Sequence, residues 1–119
     1  VKVRDSITGM AMVLDLLAEE GRPLSALVAD LPNLAMVKEK RDLSAIGGRA
    51  AVPEVLEAVR STYTDGQVND LDGVRVDWAE GWVHVRPSNT EPIVRIIAEA
   101  DTKDQAEALV ECVTQAANL

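Results

Sequence analysis

Phenylalanine is absent from these 119 residues, and Tyr63, Trp78 and Trp82 are the only aromatic side chains. Any core must therefore be built mainly from aliphatic side chains. Cysteine occurs once, as Cys112, which rules out an internal disulfide and a thiolate cluster for zinc and fits a reducing compartment. Histidine also occurs once, as His84. Basic residues are few: 12 Lys and Arg stand against 20 Asp and Glu, a formal charge of −8. That balance argues against nucleic acid or an anionic membrane surface as the main partner. No apolar run approaches the roughly 20 residues of a membrane span, and the opening residues lack a signal-peptide pattern. The expectation is a cytoplasmic protein. The chain opens on Val1 rather than Met, which points to a fragment of something longer.

With 47% hydrophobic and 27% charged residues, the chain has the composition of one globular domain with room for a small appendage. Its most informative stretch runs from Val83 to Ile97. An alternating segment, Val83 to Arg86, breaks into a polar loop between Pro87 and Pro92, and an apolar run follows. Strand, loop, strand is the expectation. The loop carries groups that grip an anion. Arg86 offers a planar fork of donors, Ser88 and Thr90 offer hydroxyls, and Asn89 offers an amide. The turn can also aim backbone N–H groups inward as a nest. The prolines restrict the backbone on both sides, so less entropy is lost when a ligand orders the loop. Loops of this composition are also common as plain turns.

The contiguous run Arg86-Pro87-Ser88-Asn89-Thr90-Glu91-Pro92, preceded by Gly81-Trp82-Val83-His84-Val85, resembles the phosphate-binding loop of the α-D-phosphohexomutases. These are the phosphoglucomutase, phosphomannomutase and phosphoglucosamine mutase enzymes, and the loop lies in their C-terminal domain. The resemblance covers most of residues 34 to 119 and is sharpest between Asp72 and Glu99. It implies that Arg86, Ser88, Asn89 and Thr90 bind the phosphate of a phosphohexose that is not being transferred. It implies a whole enzyme in which a phosphoserine passes its phosphoryl group to the sugar through a hexose 1,6-bisphosphate, with Mg2+ held outside this chain. The partners implied are the phosphohexose and the other three domains of the same protein, with no nucleic acid and no membrane. The family's serine nucleophile segment, its aspartate metal loop and its sugar-reading loop have no counterpart here, so the fragment alone is expected to be inactive. Some members carry Gly where Asn89 stands, which leans slightly toward the phosphoglucomutase/phosphomannomutase type.

Taken in order, Val1 to Arg4 alternates like a strand end. Asp5 or Ser6 caps a helix with an apolar stripe of Ile7, Met10, Ala11, Leu14 and Leu17, and Gly21 stops it. Leu24 to Asp30 forms a second short helix before Pro32. The resemblance makes residues 1–31 the remnant of a preceding third domain with its linker, and residues 34–119 the C-terminal phosphate-binding domain. In the second part, Leu34 to Arg41 reads as a strand whose Lys38, Lys40 and Arg41 form a solvated end. Gly47-Gly48 is a turn without a nucleotide-binding fingerprint. Pro53 opens a helix to about Tyr63, with Val55, Leu56 and Val59 facing inward. Asn69 to Gly73 misses the spacing of a calcium loop and reads as a turn.

Val74 to Trp78 and Trp82 to Arg86 form a hairpin, with Trp82, His84 and Arg86 on one face. His84 has no carboxylate at an evident spacing and reads as a packed sheet residue. Ile93 to Ala100 is the last strand. Thr102 and Gln105 make a capping-box signature for a helix with Ala106, Leu109, Val110 and Val113 inward and Cys112 packed nearby. The fold class expected is α+β: a mostly antiparallel four-stranded sheet with two helices on one face, after an N-terminal helical remnant. Two alternatives to the phosphoglucomutase/phosphomannomutase type stand beside it, a phosphoglucosamine mutase and a noncatalytic module that binds a phosphorylated metabolite.

Overall fold

The computed structural model describes residues 5–119, and the strand end expected over residues 1–4 lies outside that range. The chain divides into two units between Asn33 and Leu34. The first holds α1 (Ser6–Glu20) and α2 (Leu24–Ala29). Asp5 caps α1 because its carboxylate accepts the orphan N–H groups of Ile7 and Thr8, at 2.9 and 3.3 Å. Gly21 ends the helix in the left-handed conformation at φ 61°, and its N–H donates to the Leu17 carbonyl. Neither helix buries a residue within its unit; Ile7, Met10, Leu14 and Leu24 are all exposed.

The second unit holds β1 (Ala35–Asp42), α3 (Val52–Thr62), β2 (Gln67–Asn69), β3 (Val74–Trp78), β4 (Gly81–Pro87), β5 (Ile93–Ala100) and α4 (Lys103–Ala116). The sheet runs β1-β5-β4-β3-β2, antiparallel throughout. It has five strands rather than the four expected. The additional strand, β2, pairs with β3 at the edge, and all three of its residues are exposed, so no apolar alternation marked it.

Alternation decides which face is covered. Val74 and Val76 on β3, Val83 and Val85 on β4, and Val94, Ile96 and Ala98 on β5 are fully buried and share one core with Val55, Val59, Val110 and Val113 of the two helices. Each buried Val or Ile contributes about 1.5–3 kcal/mol. The helices thus cover one face and leave the other open. Pro53 stands in the first turn of α3, and the reciprocal Thr102–Gln105 capping box opens α4.

Cys112 departs from expectation. It is exposed, whereas Thr114 is buried and its hydroxyl donates to the Val110 carbonyl at 2.8 Å. With about 3.6 residues per turn, Cys112 falls well away from the Val110–Val113–Ala117 stripe, while Thr114 falls beside it. Among the described residues, no helix is long and apolar enough to cross a membrane.

Candidate anion-binding loop

The loop between β4 and β5 is closed at its base by two backbone hydrogen bonds. Ser88 N–H donates to the Ile93 carbonyl at 3.0 Å, and Leu43 N–H donates to the Pro92 carbonyl at 2.8 Å. The first shuts the turn across itself. The second ties it to the end of β1, where Leu43 is fully buried, so the loop rests on the core.

Ser88 is the buried member of the loop, at 9% exposure. Its Oγ accepts the N–H groups of Thr90 and Glu91 at 3.4 and 3.3 Å. Two donors expected to face an anion are therefore directed at the serine oxygen by long, weak bonds. The Ser88 hydroxyl proton remains a donor. Asn89 and Thr90 are exposed. Arg86, at the end of β4 on the open face, is also exposed and lies with its Nε 3.0 Å from Asp72 Oδ2.

Register brings in cations that the sequence reading left apart. Arg95 on β5 stands directly opposite Arg86 on β4, and Lys40 on β1 stands opposite Arg95 on its other side. Lys40, Arg95 and Arg86 thus form one row across three strands at the loop end of the open face. Lys38 lies two residues along β1 on the same face. Among the described residues, Lys38, Lys40 and Arg95 form no ion pair. Like charges directly opposite one another destabilise a sheet, by roughly 0.2–1 kcal/mol, so the row costs the fold something while raising the local potential for an anion.

The other end of the same face is balanced. The Arg75 guanidinium lies 4.0 Å from the centre of the Trp82 ring and pairs with Asp77, while Trp82 Nε1 donates to Glu99 at 3.0 Å. Hydrogen bonds from Arg75 hold the Asp77 carboxyl below the usual carboxylate range, and the same bonds raise the Arg75 guanidinium above its own. No cation is left over there. In a chain of charge −8, Lys38, Lys40 and Arg95 give the loop end of the face positive charge that no carboxylate among the described residues pairs.

His84, which sequence reasoning set aside, packs on this face with its Nε2 2.6 Å from the Asp72 carbonyl oxygen. A carbonyl can only accept, so the imidazole carries its proton on Nε2. No signal in the sequence joined His84 to Asp72, because the contact reaches from the turn before β3 across the whole β3–β4 hairpin. An open hollow of about 220 Å³ lies elsewhere, lined by Ile46, Ala51, Glu54, Val55 and Ala117. Its lining includes the Glu54 carboxylate and the Asn118 amide and no cationic side chain. Among the described residues, no group of three or more His, Cys, Asp or Glu side chains is placed to hold a metal ion.

The chain is similar to known proteins over most of its length. The family model for the phosphoglucomutase/phosphomannomutase C-terminal domain matches residues 31–116. A probable phosphoglucosamine mutase of Methanopyrus kandleri is 40% identical over 109 residues, covering 88% of this chain and 23% of that protein. A phosphoglucomutase/phosphomannomutase of Thermococcus kodakarensis is 33% identical over 109 residues, covering 91% of this chain and 23% of that protein. The crystal structure of a phosphoglucomutase/phosphomannomutase family protein from Burkholderia thailandensis superposes with a TM-score of 0.56 at 25% identity, covering 79% of this chain and 20% of the other. The chain spans under a quarter of the length of the curated relatives it matches. With a family model matching residues 31–116 and relatives up to 40% identical over most of the chain, the chain belongs to the phosphoglucomutase/phosphomannomutase family, through its C-terminal domain.

Proposed function

We propose that the loop from Arg86 to Thr90 binds the phosphate that is not being transferred when a phosphohexomutase moves a phosphoryl group between two positions of a hexose. The observation that carries this reading is the convergence of Arg86, Arg95 and Lys40 in one cross-strand row beside the loop. Arg86 supplies a fork for two phosphate oxygens. The Ser88 and Thr90 hydroxyls and the Asn89 amide supply further donors. Arg95 adds a second guanidinium from the facing strand. The phosphate is remote from the reacting end, so its binding energy is used to position the sugar.

The remaining machinery belongs to parts of the protein outside this chain. The phosphoserine, the sugar-reading loop and the ligands of Mg2+ would come from three further domains. The metal, when bound, supplies charge neutralisation to the group in transfer. A hexose 1,6-bisphosphate is the intermediate this scheme needs, and the fragment alone is inactive. The family match begins at residue 31 and the two units part after Asn33. Both support reading residues 1–31 as the end of a preceding domain with its linker. Phosphorylated sugars as substrates and the acidic overall charge fit a cytoplasmic enzyme without nucleic acid or membrane partners.

A second reading of the substrate has its own support. The relatives at 40% and 38% identity are both called probable phosphoglucosamine mutases, and a Sulfurisphaera tokodaii relative at 36% is called a phosphoglucosamine/phosphogalactosamine mutase. These names weigh against the slight lean that Asn89 gives toward glucose and mannose phosphates. A noncatalytic phosphometabolite-binding module has no comparable support among the relatives.

The test is steady-state kinetics of the complete enzyme carrying this domain, with Arg86→Ala, assayed on glucose 1-phosphate, mannose 1-phosphate and glucosamine 6-phosphate. Loss of a charge-assisted contact of about 1.5–3 kcal/mol should lower kcat/KM by roughly 10- to 150-fold on the preferred sugar. An unchanged kcat/KM on every sugar would refute the role of the loop.

A further inference from the structure

We infer that Asp72 is a positioning residue for Arg86, holding the guanidinium at the loop; this rests on the reading that Arg86 binds phosphate. The need for such a residue comes from the row itself. Arg86 sits directly opposite Arg95, and Lys40 lies beyond. Their mutual repulsion favours conformers in which the long, exposed Arg86 side chain swings into solvent. Asp72 is the carboxylate that pairs with this row, at 3.0 Å from the Arg86 Nε. The contact is made on the stem side of the guanidinium. The contact is an ion pair without the alignment of a hydrogen bond, and among the described residues the terminal nitrogens of Arg86 have no partner and keep their donors for a ligand. One carboxylate among three cations restrains Arg86 and still leaves the row positive.

Asp72 is in turn fixed through its backbone. His84 Nε2 donates to its carbonyl at 2.6 Å, reaching across from β4. The next residue, Gly73, has φ 78° and lies with its Cα against the Val85 carbonyl. A side chain that is itself 63% exposed therefore springs from a main chain held on both sides. His84 acts here through Asp72.

Stability and positioning separate cleanly at this pair. With side-chain exposures of 46% and 63%, the ion pair contributes little to folding. Its removal should leave the thermal midpoint in place and be felt in the order of Arg86 and in phosphate affinity. The competing possibility has the opposite sign: a carboxylate that merely occupies Arg86 would, once removed, let phosphate bind more tightly.

The experiment uses the 119-residue chain labelled with 15N, in wild-type form and as Asp72→Ala, Asp72→Asn and Arg86→Ala. Relaxation of the Arg86 Nε–Hε pair is recorded first without ligand, and inorganic phosphate is then titrated. In Asp72→Ala the order parameter of that pair should fall into the flexible range, below about 0.6. Phosphate should bind roughly two- to tenfold more weakly, the cost of ordering one long side chain on binding. Asp72→Asn keeps an acceptor without the charge and should fall between the two. An unchanged order parameter, or phosphate binding as tight as wild type or tighter, overturns the inference while leaving the loop reading intact if Arg86→Ala abolishes binding. No saturable binding by the wild-type chain overturns both.

Discussion

Gly73 carries a constraint that no other residue type meets. Its φ of 78° lies in the left-handed region, and a Cβ added there would collide with the Val85 carbonyl oxygen and crowd the Arg86 Cα. The obstacles are backbone atoms of β4, which cannot swing aside as a side chain can. Gly73→Ala must therefore pull β3 away from β4 at the point where β4 delivers Arg86. Both the strained dihedral and the clash fall in one residue, so the expected cost is at least about 2 kcal/mol, read as a lower urea midpoint at unchanged slope. A midpoint within error of wild type would show that the turn relaxes without loss. The sequence announced a turn at Asp72-Gly73 and no more. That Asp72 meets Arg86 and His84 depends on how tightly the turn packs on a strand ten or more residues later, which composition does not encode. The same holds for Arg95. It stands nine positions from Arg86 in the chain, and only the length of the intervening loop sets it directly opposite.

At the level of elements, local chemistry was a good guide wherever a helix end or an apolar alternation was strong. Asp5 and Gly21 bound α1, Pro53 opens α3, and Thr102 with Gln105 opens α4. The capping box is a bond in each direction: Thr102 Oγ1 accepts from Gln105 N–H at 3.3 Å, and Gln105 Oε1 accepts from Thr102 N–H at 3.0 Å. Thr102→Ala removes the first and leaves an orphan donor, so α4 should fray at its start and the unit lose about 1 kcal/mol. Amide hydrogen exchange checks it: faster exchange confined to residues 103–106 is expected, and no change there would sink the assignment. Two elements gave weaker signals. β2 is three exposed residues on the sheet edge, too short and too polar to alternate visibly. Cys112 looked like packing because it neighbours Val113, although the helical angle puts it on the outer side.

For the molecule as a whole, the two units differ in what they bury. Residues 34–119 own a closed aliphatic core: Leu43, Val59, Val74, Val76, Val83, Val85, Val94 and Ile96 are fully buried within it, the helices cover one face, and the loop is pinned to that core through Leu43. Such a unit meets the conditions for folding by itself. Residues 5–33 offer two helices with no buried residue and a row of exposed apolar side chains. Isolated helices of at most 15 residues are marginal in water. Expressed separately, Leu34–Leu119 should show dispersed amide resonances and a single cooperative thermal transition. A peptide of residues 1–33 should be partly helical by circular dichroism and melt without a sigmoid. A non-cooperative melt for Leu34–Leu119 would mean that its core is insufficient. The loop between β4 and β5 would then depend on more of the chain than the strands it joins, and Arg86 could not be preorganised by this unit alone.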